Sequence, residues 1–213
     1  MSQSSPIPTL VVMARWPASG RCKRRLAADI GGDQAAIIQQ HLTAHTFAVA
    51  SGLSAQGDVD VQVAMSGVSL GSAQRALRSL PPCTLLDQGQ GSLGARMLRQ
   101  IHQARLGQRD KPVIVIGTDL ADLCQNDLLH AIQRLQHQPL VLGPSADGGY
   151  WLIGLGPEIT QRQLDALFAA VPWGSNKVLD ITCTRARRLG LTPHQLSMKN
   201  DIDCLADLSS WQR

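Results

Sequence analysis

The order of elements constrains the fold most: short apolar runs alternate with longer segments of helical periodicity. Thr9 to Ala14 (TLVVMA) and Pro112 to Gly117 (PVIVIG) are uninterrupted apolar stretches, the pattern of strands covered on both faces. Asp58 to Ala64 (DVDVQVA) alternates with period two, and Thr84 to Asp87, Leu140 to Leu142 and Tyr150 to Leu155 are also strand-like. Between and after them, Asp33 to Leu53, Gln74 to Leu80, Leu93 to Leu106, Asn126 to Leu135 and Lys177 to Leu189 place apolar residues at helical spacing, and a last helix is expected over Leu205 to Trp211. Strand then helix, repeatedly, predicts an α/β fold with a mostly parallel central sheet flanked by helices. With 213 residues and no internal repeat or low-complexity linker, a single domain over residues 1–213 is expected.

Composition removes several function classes. Aromatic residues make up 3% of the chain, too few for the stacking platforms that bind single-stranded nucleic acid, so nucleic acid is disfavoured as a partner despite a net charge of +4. Cys22, Cys83, Cys124, Cys183 and Cys204 show no C-x-x-C spacing, so neither a zinc site nor a disulfide framework is expected and a reducing cytoplasm fits. Met1 to Thr9 is polar, and no segment has membrane-spanning length, which predicts a cytoplasmic protein without a membrane partner. His41, His45, His102, His130, His137 and His194 have no partner at metal or triad spacing, so packing or surface roles are expected.

Charge is concentrated just after the first strand. Arg15 to Arg25 reads RWPASGRCKRR, with Arg15, Arg21, Lys23, Arg24 and Arg25 and no acidic residue before Asp29. Ligands of open α/β sheets bind beyond the carboxyl ends of strands, and a loop there with Gly20 for backbone access and Lys or Arg for charge suits a polyphosphate. The competing reading is a solvated basic turn. The Walker A order is absent.

Two acidic groups complement this loop. Asp119 follows the central strand in GTDLADL, where a carboxylate can hold Mg²⁺ against phosphate oxygens; alternatively it serves as a helix cap, a role equally open to Asp122 or Asn126. Asp201 and Asp203 in NDIDC alternate, so an extended segment turns both to one face, which attracts a cation. Capping of the final helix by Asp203 is the other reading.

Gly89 to Gly94 matches G-x-G-x-x-G, yet three strands precede it and the nearest acid, Asp110, sits in a turn, which argues against a dinucleotide-binding fingerprint. A nucleotide-contacting loop remains open there. Asp147-Gly148-Gly149-Tyr150 reads as a turn between two strands that could line a cleft.

Together these segments resemble the CofC-like, MobA-like bacterial transferases of the GT-A superfamily, often labelled glycosyltransferases, and the resemblance runs nearly the whole chain. The family's opening motif K-x-P-x-P-G-x-x-K-T-R-L corresponds to Arg15 to Leu26, with Pro17, Gly20, Lys23, Arg25 and Leu26 matching. D-Q-G-x-G-x-L-G-x-R-M stands as Asp87 to Met97, G-S-D-x-P-D-L as Gly117 to Leu123, G-P-x-x-D-G-G-Y-x-L-I-G-L as Gly143 to Leu155, W-S-T as Trp173-Gly174-Ser175, and the final D-[IV]-D as Asp201-Ile202-Asp203. Departures are Arg15 for Lys, Ser19 for Pro, Arg24 for Thr, Ala121 for Pro and Gly174-Ser175 for Ser-Thr; around the loop they keep or add positive charge.

The resemblance implies a single GT-A, Rossmann-like domain using Mg²⁺, or Mn²⁺ in its place. It implies Lys23, Arg25 and Asp119 as catalytic residues, with nucleotide or substrate contact by Arg15, Gly20, Lys23, Arg25, Gly91, Leu93, Gly94, Asp147, Gly148, Gly149 and Tyr150. Metal coordination falls to Asp119, Asp201 and Asp203. The partners implied are a nucleotide or nucleotide-sugar donor and a small-molecule acceptor. A glycosyltransferase is the leading expectation, a nucleotidyltransferase releasing pyrophosphate the alternative. Two other classes stand beside them: a nucleotide or RNA binder without chemistry, and an NAD-dependent oxidoreductase built on Gly89 to Gly94.

Overall fold

The computed structural model describes residues 6–78, 83–108 and 111–210. The strands are β1 (Thr9–Arg15), β2 (Asp60–Ser66), β3 (Thr84–Asp87), β4 (Val113–Ile116), β5 (Leu140–Pro144), β6 (Tyr150–Leu155) and β7 (Pro193–Gln195). The helices are α1 (Arg24–Ile30), α2 (Gly32–Gln56), α3 (Leu70–Ala76), α4 (Leu93–Ala104), α5 (Gln125–Leu135), α6 (Gln161–Phe168) and α7 (Val178–Arg188), and a 3-10 helix spans Leu205–Ser210. The sheet order is β3-β2-β1-β4-β6-β5-β7. Every strand pair is parallel except those made by β6, which runs antiparallel to β4 and β5. The mostly parallel α/β sheet read from the alternation is therefore present.

The apolar runs are explained by burial on both faces. In β1, Leu10, Val12 and Ala14 pack on one side with Phe47 and Leu53 of α2 and Leu128 of α5. Val11 turns to the other side, where Val115, Leu142 and Ile153 meet Met97 and Ile101 of α4, Leu164 and Leu167 of α6 and Cys183 of α7. A strand whose successive residues enter two cores cannot alternate apolar with polar. At the end of β5, the register shifts between Gly143 and Pro144, where proline, with no N–H to donate, is tolerated.

Several boundaries differ from expectation. The helix expected over Gln74 to Leu80 instead spans Leu70–Ala76, set early by Ser69, whose side chain accepts from the Ser72 N–H; Leu80 lies outside the described residues. The final element is 3-10 rather than α-helical, and Trp211 lies outside the described residues. Three elements had no counterpart in the sequence reading. α1 and β7 are short, while α6 starts at a capping box in which Thr160 and Gln163 bond reciprocally.

Candidate functional site

The strand ends of β1, β2, β3, β4 and β5 and the start of β6 share one edge of the sheet, and the candidate residues collect there. The loop after β1 turns back at Lys23, whose backbone is left-handed (φ 45°, ψ 51°) as it enters α1. A non-glycine residue rarely adopts this conformation, at a cost of roughly 1–2 kcal/mol, and such strain concentrates where a side chain must be aimed. The turn sends the Lys23 ammonium inward to donate to Oδ1 of Asp119. The lysine side chain is 5% exposed and its partner 48%.

Asp119 is fixed from both sides. Buried Gln39 of α2 donates from Nε2 to the Thr118 carbonyl at 3.3 Å and to Thr118 Oγ1 at 3.2 Å, pinning the segment just before it. The Asp119 carbonyl accepts from the Ile202 N–H at 2.9 Å, and Leu120 bridges antiparallel to Asp201. The helix-cap reading for Asp119 fails: the N-cap of α5 is Cys124, with Asp127 accepting from the Cys124 N–H.

The Asp201-Ile202-Asp203 segment is placed by its middle residue. Ile202 is 2% exposed and packs with Leu26, Ala35 and Leu42, so burial of one apolar side chain presents the flanking carboxylates to the cleft. Ser145 donates its hydroxyl to Asp201 Oδ1. Arg25 donates from Nη1 to Asp203 Oδ2 at 2.9 Å. Capping of the last helix belongs to Asp207, which accepts from the Asp203 and Cys204 N–H groups. Lys199 anchors the segment from behind, pairing with Asp122 at 3.2 Å and Asp127 at 3.0 Å.

Three adjoining cavities run along this edge. One of about 260 Å³ holds Arg15, Arg21, Lys23 and Arg24 opposite Asp119, Asp201 and Asp203. The carboxylates expected to share a face thus line one cavity with the basic loop. A second, about 450 Å³, shares Arg15, Arg21 and Arg24 and extends over Trp16, Asp87, Gly89, Gly91 and Arg96. A third, about 310 Å³, shares Asp119 and Asp201 and continues over Leu93, Met97, Asp147, Gly149, Tyr150, Trp151 and Trp173.

Some expected residues act from outside these walls. Arg25 reaches the cleft through Asp203, its side chain 73% exposed. Gly20, at φ 70°, has open space around its α-carbon. Gly94 is a close-approach position: a β-carbon there would stand 2.7 Å from Trp173 Nε1. Gly148, with φ 87°, would meet the Asn176 carbonyl oxygen at 2.2 Å, so the hairpin tip admits glycine alone. Beside it, Asp147 Oδ1 accepts from the Gly149 N–H at 2.8 Å, the turn expected between β5 and β6.

Arg21 and Arg24 of the basic loop line the basic cavities. Other contributors were not singled out from sequence: Arg96 lines the larger basic cavity, and Ser145 meets Asp201. Gln88 is 3% exposed and donates to the Ala14 and Ala64 carbonyls at 2.9 and 3.0 Å, clamping the ends of β1 and β2. It also accepts from Arg96 Nη1 at 3.0 Å. The match of Asp87 to Met97 to a known motif contained both Gln88 and Arg96, the one signal that could have found them. Gly89 to Gly94 leaves the edge strand β3, unlike a dinucleotide fingerprint on a central strand; Asp110 lies outside the described residues.

Electrostatics divide the cleft. Burial, then the guanidinium groups of Arg15 and Arg99, hold Arg96 below its ordinary pKa, and its Nε has no partner. Asp201 is pushed above the usual carboxylate range by burial first, with the Ser145 hydroxyl opposing and Asp147 and Asp119 raising it further. Burial raises the Tyr150 phenol, with Thr182 opposing. No group of three His, Cys, Asp or Glu side chains among the described residues is preassembled for a metal. The oxygen donors of Asp119 and Asp201, which line one cavity, still suit a hard cation: Mg²⁺ is commonly held by one or two carboxylates, with water and phosphate oxygens completing the shell.

Comparisons with known proteins follow the same lines. The model of family DUF2064, described as an uncharacterized protein conserved in bacteria, matches residues 49–175. The structure resembles that of a Desulfovibrio desulfuricans G20 protein described as a candidate nucleotide-diphospho-sugar transferase, at 27% identity, covering 98% of this chain and 87% of that one with a TM-score of 0.83. It shares its fold with 4-diphosphocytidyl-2C-methyl-D-erythritol synthase from Anaerococcus prevotii DSM 20548, at 8% identity, 99% and 100% coverage and a TM-score of 0.66. It shares it also with Rv0371c of Mycobacterium tuberculosis H37Rv solved with manganese, at 17% identity, 98% coverage of both chains and a TM-score of 0.53. No curated protein matches the chain. No helix among the described residues is long and apolar enough to cross a membrane.

Proposed function

We propose that this chain, which belongs to the DUF2064 family, is a metal-dependent transferase that moves a group from a nucleotide-activated donor to a small-molecule acceptor. One observation carries the reading: a strained, inward-turned Lys23 and three arginines share a cavity with Asp119, Asp201 and Asp203. Facing cations and carboxylates in one cleft suit a polyphosphate bound with a divalent cation. The likeness to the Desulfovibrio protein supports a nucleotide-sugar donor, and the manganese in Rv0371c supports a divalent metal.

In this reading Arg15, Arg21, Lys23 and Arg24 bind the donor phosphates, and Arg25 orients Asp203. Asp119 and Asp201 would hold Mg²⁺ or Mn²⁺, with Asp203 at their edge. The ion, when bound, neutralises phosphate charge that grows as the leaving group departs. Lys23, fixed by Asp119 and shielded from water, stays in place for that charge, so little reorganisation accompanies reaction. Gly89 and Gly91 border the donor, while Leu93, Asp147, Gly149 and Tyr150 border the acceptor. For glycosyl transfer, an acceptor oxygen or nitrogen bonds to the anomeric carbon, the bond from that carbon to the phosphate oxygen breaks, and a nucleoside diphosphate leaves. The acceptor's proton goes to a cleft carboxylate or to solvent.

Nucleotidyl transfer is the second reading, favoured by the density of positive charge in the loop. There the acceptor attacks the α-phosphorus and pyrophosphate leaves. Screening nucleotides and nucleotide sugars with Mg²⁺ by thermal shift tests the donor, and product analysis separates the chemistries. Pyrophosphate without free nucleoside diphosphate refutes glycosyl transfer. Binding of RNA that falls steeply with salt and ignores Mg²⁺, with no response to nucleotides, refutes the enzyme reading altogether.

A further inference from the structure

Charge is sorted along the cleft. Among the described residues, the 450 Å³ cavity is lined by Arg15, Arg21, Arg24 and Arg96 against one carboxylate, Asp87. Among the described residues, the wall of the 310 Å³ cavity has no lysine or arginine; its charged residues are Asp119, Asp147 and Asp201. Below that acidic mouth the wall is apolar and aromatic. Trp173 stacks on Phe168, with ring centroids 6.0 Å apart, and meets Tyr150 edge-on at 6.2 Å.

We infer that the acceptor is a non-anionic molecule with a flat apolar body and a hydrogen-bond-donating head, a hydroxyl or an amine, turned toward Asp147. The inference rests on the reading that the donor occupies the basic cavities, and names the acceptor class for the same site. An anionic head would enter beside the Asp147 carboxylate, which pairs with no lysine or arginine among the described residues and is not one of the carboxylates assigned to the cation. A hydroxyl or ammonium finds acceptors there, and the ring system behind it replaces water against Met97, Tyr150 and Trp173. Gly94 keeps Trp173 in position, since any larger residue would displace the indole.

The test uses the full chain and three probes of one shape: 2-phenylethanol, 2-phenylethylamine and phenylacetate, with binding read through tryptophan emission. The alcohol and the amine are expected to bind, and phenylacetate to bind at least about tenfold more weakly. Equal or tighter binding of phenylacetate overturns the inference, as does failure of all three probes. Leu93→Lys places a cation in the wall at a partly exposed helix position and is expected to erase the discrimination; a preference left unchanged by that variant overturns the assignment to this cavity. The donor reading fails separately: if no Mg²⁺-nucleotide stabilises the protein while the probes keep their ranking, the pocket's chemical preference stands and the donor assignment falls.

Discussion

The ammonium of Lys23 donates to Oδ1 of Asp119, 96 residues further along the chain, and so joins the loop after the first strand to the end of the fourth. Removing the charge by Lys23→Met is expected to weaken nucleotide binding about 10- to 100-fold, the worth of one charge-assisted hydrogen bond of roughly 1.5–3 kcal/mol. Isothermal calorimetry reads it directly, and an unchanged Kd removes Lys23 from the phosphate site.

The same residue allows a backbone test. Lys23→Gly and Lys23→Ala both lack the ammonium, but only alanine pays for the left-handed conformation. Glycine should leave the protein more stable than alanine by about 1 kcal/mol in denaturant unfolding. Equal midpoints would show that the turn relaxes once the lysine is gone.

Asp119→Asn tests the cation. Nucleotide affinity of the unaltered protein should drop when a chelator replaces Mg²⁺, whereas the variant should bind with the same weaker affinity in either condition. A variant that retains Mg²⁺-dependent binding shows that Asp119 does not hold the ion.

Much of this arrangement was legible in residues. TLVVMA and PVIVIG announce strands buried on both faces because each supplies two cores. Asp201 and Asp203 announce a shared face because they alternate around an apolar Ile202. The rest depended on tertiary partners that no local pattern displays. Nothing near Lys23 in the sequence announces that its backbone turns left-handed, and nothing local to Arg25 shows that it reaches the cleft through Asp203. α1 is held by Leu26 against α2 and Ile202, a contact spread over most of the chain.

Asp201 sets a pH dependence. Its carboxyl is raised in the folded protein, so between the ordinary value of 3.8 and the raised one, the native state holds more protons than the unfolded state. Stability therefore falls as pH rises through that interval. Asp201→Asn, whose amide oxygen still accepts from Ser145, should melt higher than the unaltered protein at neutral pH and lose the advantage in acid. Parallel melting curves at all pH values would contradict it.

Gly94→Ala probes the aromatic wall. The added carbon would lie 2.7 Å from Trp173 Nε1, and overpacking of this kind costs about 1–3 kcal/mol. The unfolding midpoint should fall and tryptophan emission should change as the ring moves. Stability and emission like those of the unaltered protein would mean that the indole is not held against α4.

Gln88→Met removes one side chain that serves two strand ends and one arginine. The Ala14 and Ala64 carbonyls lose their side-chain donor, a loss of about 1–3 kcal/mol. Denaturant unfolding measures it, and a neutral result would mean that water takes the amide's place.

Two bridges carry the tail of the chain back over strand ends formed long before it, Leu120 to Asp201 and Ser145 to Lys199. During synthesis, the parallel strands can pair while Asp201 and Asp203 are still untranslated. A nascent chain can therefore hold its scaffold and its basic loop before it holds the carboxylates that face that loop, so the charge balance of the cleft is struck only once residues 201–203 have been made.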